Sequence, residues 1–202
     1  METMLKTVDA CRSAHIRYVI HPVEYGLSEL RPERRKIMME DLHVMALHAD
    51  LALIIHDEST KGGKRLGVEE AGTYRQGLLE LSRLCAVSIE NAGVNRDIKW
   101  FWREYASSVT LDIGHLEVRG IDSVEFVRTL EADLLKAIDF VHIHRVNGLR
   151  GGIRDHWGLT EDCRELRALK ELLARKKGLR VILEIIEAED LEKNLDLLRS
   201  LS

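Results

Sequence analysis

The sequence predicts an α/β fold built on parallel strands, and three observations carry that expectation. Short β-branched runs recur at 16–21, 51–56, 86–90, 109–112, 140–144 and 180–184. Each is apolar almost throughout, as a strand buried on both faces requires, and parallel sheets are the sheets covered on both faces. Longer helix-type stretches separate them, at 34–48, 74–84, 124–137, 161–176 and 188–201, so the chain reads as successive βα units.

The chain opens on a further helical segment, 4–12. Both prolines, Pro22 and Pro32, are expected in the loop after the first strand. Thr160 is the expected cap of the helix that begins Glu161-Asp162, whose acidic first turn suits the helix dipole. That helix closes on Arg175-Lys176-Lys177-Gly178, basic and then glycine. No repeat, linker or low-complexity tract interrupts the pattern, so residues 1–202 are expected to form one domain. Six strands are fewer than the eight of a closed parallel barrel, which leaves an incomplete barrel or an open doubly wound sheet.

Composition narrows the function classes. The 202 residues are 45% hydrophobic, enough for one filled core, and 32% charged with both signs mixed. A formal net charge of −4 with no basic block disfavours nucleic-acid binding. Cys11, Cys85 and Cys163 lie far apart with no C-x-x-C pair, the usage of free thiols in a reducing compartment. No apolar run reaches membrane-spanning length, so a soluble cytoplasmic protein is expected.

The strand ends carry the chemistry. The six runs finish at His21, His56, Glu90, Asp112, His142 (with His144 beyond it) and Glu184. Taken singly, each has a plain explanation, since a lone histidine after a strand is usually a satisfied boundary residue and a lone glutamate caps or pairs. Structural needs alone would not put such residues at the same end of all six strands. Active sites of α/β barrels gather at that end. Three imidazoles and three carboxylates there form an intelligible donor set for one to three divalent cations.

The segments Tyr18-Val-Ile-His-Pro22, Ile54-Ile-His-Asp57, Val87-Ser-Ile-Glu-Asn-Ala-Gly93, Leu111-Asp-Ile-Gly-His115, Val141-His-Ile-His144, Asp155-His156 and Val181-Ile-Leu-Glu-Ile185 follow one another in order. Individually they are weak; in series they resemble the xylose isomerase-like TIM-barrel superfamily, which holds sugar-phosphate isomerases and epimerases and endonuclease IV. The resemblance spans nearly the whole chain from residue 16. It implies a (β/α) barrel that lacks its first two strands, so that six βα units are visible and the domain is incomplete at its N-terminal side. It also implies a main metal site of Glu90, Asp112, His142 and Glu184. His21 and His56 match additional ligands of the endonuclease branch. His115 and His156 match residues that bind a third zinc there or contact substrate in the isomerases, with His144 and Asp155 beside them. The D-x-H spacing of that third site is broken, because Arg154 stands where the aspartate belongs.

The implied cofactor is a divalent metal: Mn, Mg, Co or Zn. In the isomerase branch the metal polarises a carbonyl while two glutamates, here Glu90 and Glu184, move a proton at the adjacent carbon. In the nuclease branch the same cluster activates water against a phosphodiester at abasic sites. A metal-binding homologue without activity is a third reading. The acidic balance favours the isomerase and a sugar or sugar-phosphate ligand over DNA. Lys61, Lys64 and Arg65 in one glycine-containing loop, and Arg150 and Arg154 in another, are the candidate phosphate contacts. The aromatic run 99–105 is expected to serve packing. An incomplete barrel exposes sheet edges, so a homo-oligomer closing the open side is expected.

Overall fold

The computed structural model describes residues 1–22, 25–92, 95–148 and 153–201. The chain divides into two compact units, Met1–Glu90 with Val94–Ser108, and Asn91–Gly93 with Val109–Ser202.

The first unit contains α1 (Glu2–Ser13), α2 (Pro32–His48), β1 (Leu53–His56), α3 (Val68–Ser82), β2 (Val87–Glu90) and α4 (Ile98–Tyr105). Strands β1 and β2 pair in parallel from Leu53↔Val87 to His56↔Glu90. The expected strand at 16–21 is reduced to one parallel bridge, Ile20↔Leu53. Among the described residues, Tyr18 and Ile20 bond the β1 side, through Leu51 N to Tyr18 O, Ile20 N to Ala52 O and Ile54 N to Ile20 O. Ile16 instead lies exposed, and Arg17 is drawn to the Asp50 carboxylate. The core of this unit is Leu53, Ile54, Ile55, Ile89, Tyr74, Leu81, Phe101 and Trp102.

Pro32 does not sit in the loop but opens α2, where its missing N–H costs nothing and its fixed φ suits the first turn. The aromatic run forms α4, and Phe101 and Tyr105 stack edgewise on Tyr74, so packing is what that run does.

The second unit contains β3 (Val109–Asp112), α5 (Ile113–Val118), α6 (Ser123–Arg128), α7 (Ala132–Ala137), β4 (Ile138–Ile143), β5 (Arg145–Gly148), β6 (Ile153–Trp157), α8 (Arg164–Arg175), β7 (Arg180–Leu183) and α9 (Ala188–Arg199). Strand β4 lies between β3 and β7, parallel to both. An antiparallel ribbon, β5 with β6, projects after β4. The helix expected at 124–137 is two: the turn Thr129-Leu130-Glu131 breaks it, with the Thr129 hydroxyl bonded back to Glu125 O and Glu131 in extended backbone. Helix α8 starts later than Thr160 because Cys163 is the cap, its Sγ accepting from Leu166 N. Thr160 instead donates to Asp162 in the preceding turn. Val109, Leu111, Ile113, Val141, Ile143, Leu166, Leu169 and Leu172 fill this unit's core. Among the described residues no helix is long and apolar enough to cross a membrane.

Candidate functional site

Strand β1 is apolar until its last residue and β2 is apolar apart from the buried Ser88, and both end on a metal-capable side chain, His56 and Glu90. His21 follows the Ile20 bridge in the same parallel register. The result is a tight trio. His21 Nε2 lies 2.8 Å from Glu90 Oε2, His56 Nε2 lies 3.5 Å from the same oxygen, and the two imidazole nitrogens are 3.0 Å apart. Donors around a tetrahedral ion at about 2.1 Å stand roughly 3.4 Å from one another, close to this spacing. Glu90 is fully buried, and a carboxylate there is tolerable only with such partners. Tyr74 donates its hydroxyl to His56 O, and Asp57 N donates to Glu90 O, which fixes the two strand ends in register.

In the second unit β3 ends at Asp112, also fully buried. Its carboxylate caps α5 by accepting from His115 N at 2.6 Å. His142, inside β4, places Nδ1 2.9 Å from Oε1 of Glu184, the residue just past β7. His144 lies beyond β4, and its ring stacks on that of His156 with centroids 4.3 Å apart. Two groups here bring ligand-capable atoms within 4.8 Å of one another: Asp112, His115 and His144, and His144, His156 and Glu184. Burial disfavours the His144 cation, but the Asp112 carboxylate, with Glu184 and Asp155, more than offsets this and holds its pKa above the ordinary value. His156 adopts left-handed backbone, φ 60°, unusual for a residue with a side chain. Asp155 Oδ2 stands 3.9 Å from His156 Nε2.

No family model matches the sequence, and no curated protein matches it significantly. Solved structures do. A xylose isomerase domain-containing protein from Salmonella typhimurium LT2 aligns with a TM-score of 0.72 at 15% identity, covering 96% of this chain and 80% of that one. A sugar phosphate isomerase/epimerase from Parabacteroides distasonis aligns at 0.61 and 13% identity, covering 97% and 80%. A 3-keto-D-glucoside 4-epimerase from E. coli aligns at 0.61 and 12%, covering 99% and 84%. The chain therefore shares the α/β TIM-barrel type of fold with these structures.

Within that barrel-type fold, the phosphate candidates are placed unevenly. Lys61 and Lys64 are exposed on a turn closed by a Thr60↔Lys64 bridge. Arg65 is committed elsewhere, with Nη2 2.6 Å from Asp97 Oδ2 and its guanidinium 4.0 Å over the Trp100 ring. Arg150 and the Arg154 side chain lie outside the described residues.

Sequence reasoning missed two supporting residues. Asn91, fully buried, brackets the Asp112 peptide with both atoms of its amide. Glu58 accepts from Leu27 N, Ser28 N and the Ser28 hydroxyl, while its own carbonyl accepts from Asn95 Nδ2. It thereby pins the loop after His21 to the loop after β1. The sequence signal for Asn91 was its place directly after Glu90 in the segment 87–93, and for Glu58 its place two residues beyond His56.

Proposed function

We propose that this chain is a divalent-metal-dependent isomerase or epimerase of sugars or sugar phosphates. The observation that carries the reading is the convergence of His21 Nε2 and His56 Nε2 on Glu90 Oε2, at distances a bound cation would explain. The His142–Glu184 pair at 2.9 Å gives the second unit its own donors, with Asp112 buried near His115 and His144. The donor set is imidazole and carboxylate without thiolate, which suits Mn, Co or Zn better than Mg. The likeness to a sugar phosphate isomerase/epimerase and to a 3-keto-D-glucoside 4-epimerase supports the same class.

In this reading Glu90, with His21 and His56, supplies the ligand candidates of the first unit, and Asp112, His142 and Glu184 supply those of the second. A bound divalent cation would supply Lewis acidity at the substrate's carbonyl or hydroxyl oxygen. Glu184, one-fifth exposed and held by His142, takes a proton from the carbon beside that oxygen. In the first unit, Glu90 is steadied by His21 and His56. Lys61 and Lys64 are the remaining described candidates for contact with a substrate phosphate. The exposed outer edge of β7 is where a second copy of the chain would pair.

The test is exchange of substrate carbon-bound hydrogen with deuterated solvent, followed by NMR across keto sugars and their phosphates. Exchange that chelation abolishes and Mn or Co restores is expected. Absence of exchange in the metal-loaded protein across the panel would overturn the reading. The His21–His56–Glu90 trio also favours a second reading, a zinc phosphodiesterase acting at abasic DNA sites. Bound zinc beyond one per chain, with cleavage of an abasic oligonucleotide, would select it. The net charge of −4 argues against it, since gripping a duplex requires neutralising several phosphates.

A further inference from the structure

His144 is grouped by distance with candidate cation ligands on both sides, Asp112 and His115 on one and His156 and Glu184 on the other. Its hydrogen bonding assigns it a different part. The backbone N–H of His156 donates to His144 Nδ1 at 3.0 Å. An amide nitrogen can only donate, so Nδ1 keeps its lone pair in that bond and the neutral ring carries its proton on Nε2. Nε2 is buried and makes no hydrogen bond among the described residues; it faces Asp112 Oδ1 at 3.5 Å. A buried N–H without a full partner, aimed at a carboxylate, is a donor waiting for a small movement of that carboxylate.

The two neighbouring histidines have the opposite polarity. His115 Nδ1 lies 2.9 Å from Asn91 O, and His156 Nδ1 lies 3.0 Å from Glu184 O. A carbonyl oxygen can only accept, so both rings carry the proton on Nδ1 and present Nε2 as a lone pair. This is the arrangement in which a histidine's outer bond orients it as a metal ligand. The place of His144 is also built into the backbone. Its ring lies against Gly114 where a side chain would begin, so any Cβ at that position would overlap the imidazole.

We infer that His144 is a positioning residue and not a cation ligand, its Nε2–H steering the Asp112 carboxylate while His115 and His156 offer Nε2 to a cation or substrate. Ligation through His144 Nε2 would require an imidazolate, or loss of the bond from His156. The metal half of the test rests on the proposed function; the tautomer half does not.

The first measurement is the two-bond proton–nitrogen correlation of the imidazole rings in the metal-stripped, 15N-labelled full chain at alkaline pH. Single His→Gln variants assign the signals. The Nε2–H form for His144 and the Nδ1–H form for His115 and His156 are expected; an Nδ1–H form for His144 overturns the inference. The second measurement is titration with Co2+ alone. His144→Leu is expected to weaken binding about 10-fold while the number of bound ions and the visible absorption of the cobalt are retained. His144→Gln, whose amide can accept from His156 N and donate to Asp112, is expected to recover most of that affinity. A bound ion lost, or a changed cobalt spectrum, in His144→Gln overturns the inference as well. If the wild type binds no cobalt, the metal reading fails, while the ring tautomers still decide the role of His144.

Discussion

Asn91 clasps the peptide of Asp112 from both sides: its Nδ2 donates to the Asp112 carbonyl at 2.8 Å and its Oδ1 accepts the Asp112 N–H at 2.9 Å. The clasp sets the direction in which β3 delivers its carboxylate. Asn91→Ala leaves two buried backbone groups without partners, at about 1–3 kcal/mol each. A loss of roughly 3 kcal/mol in urea unfolding is therefore expected, with weaker cation binding through Asp112. A loss within the range of ordinary surface substitutions, about 0.5 kcal/mol, would show that the clasp is incidental.

The trio in the first unit makes a sharper statement about metal. If His21, His56 and Glu90 hold a cation, that cation binds only the folded chain. Folding is then stabilised by about 2.7 kcal/mol at a free metal concentration 100 times the Kd. His21→Ala and His56→Ala each remove one of three converging donors. Both are expected to abolish most of the metal-induced rise in Tm, read by calorimetry with and without zinc or manganese. A rise that survives both changes would place the bound ion elsewhere.

Glu58 gives the pH dependence. Burial pushes its pKa up, against the lowering effect of the bonds from Ser28 and Leu27. In the fold the group therefore holds its proton to higher pH than in the unfolded chain. Its contribution is fully present below the ordinary carboxylate pKa and is lost as pH rises through the raised one. Glu58→Gln removes this titration and keeps one of the two acceptor oxygens, for either the Leu27 or the Ser28 donors, a loss that does not vary with pH. The difference in unfolding free energy between wild type and E58Q is expected to turn against the wild type as pH rises across that window. A flat difference would mean the folded chain does not perturb Glu58.

How far the sequence foretold all this depends on which physical signal each part carries. Buried parallel strands read as apolar runs, so β1, β2, β3, β4 and β7 were legible, and so was the residue ending each run. The segment before His21 pairs less than its β propensity suggests, because propensity says nothing about how many backbone groups meet a neighbouring strand; among the described residues Tyr18 and Ile20 bond to the β1 side, while Ile16 N bonds back to Cys11 O. The ribbon β5–β6 and the short helix α5 were invisible, since neither shows a period of its own. The deepest omission was polarity within the site. Whether His144 gives or receives a hydrogen bond depends on a backbone N–H from His156, twelve residues away, and on the left-handed turn that aims it. No spacing of residue types encodes that.

The last expectation concerns the open edge of β7. Among the described residues β7 pairs only with β4, and its Val181, Ile182 and Leu183 stay partly exposed, whereas every residue of β3 is buried. Glu184 N donates to Ile143 O, so by the alternation of a parallel ladder the N–H groups of Val181 and Leu183 point away from β4. An apolar edge with unspent donors favours addition of another strand, and a second copy of this chain supplies one. A dimer is therefore expected by light scattering. Val181→Pro removes one outward donor without touching the β4 ladder, and proline is tolerated at such an edge. It is expected to shift the chain towards monomer while the far-UV circular dichroism stays unchanged. A wild type that is monomeric and fully stable to heat would mean that this edge needs no partner.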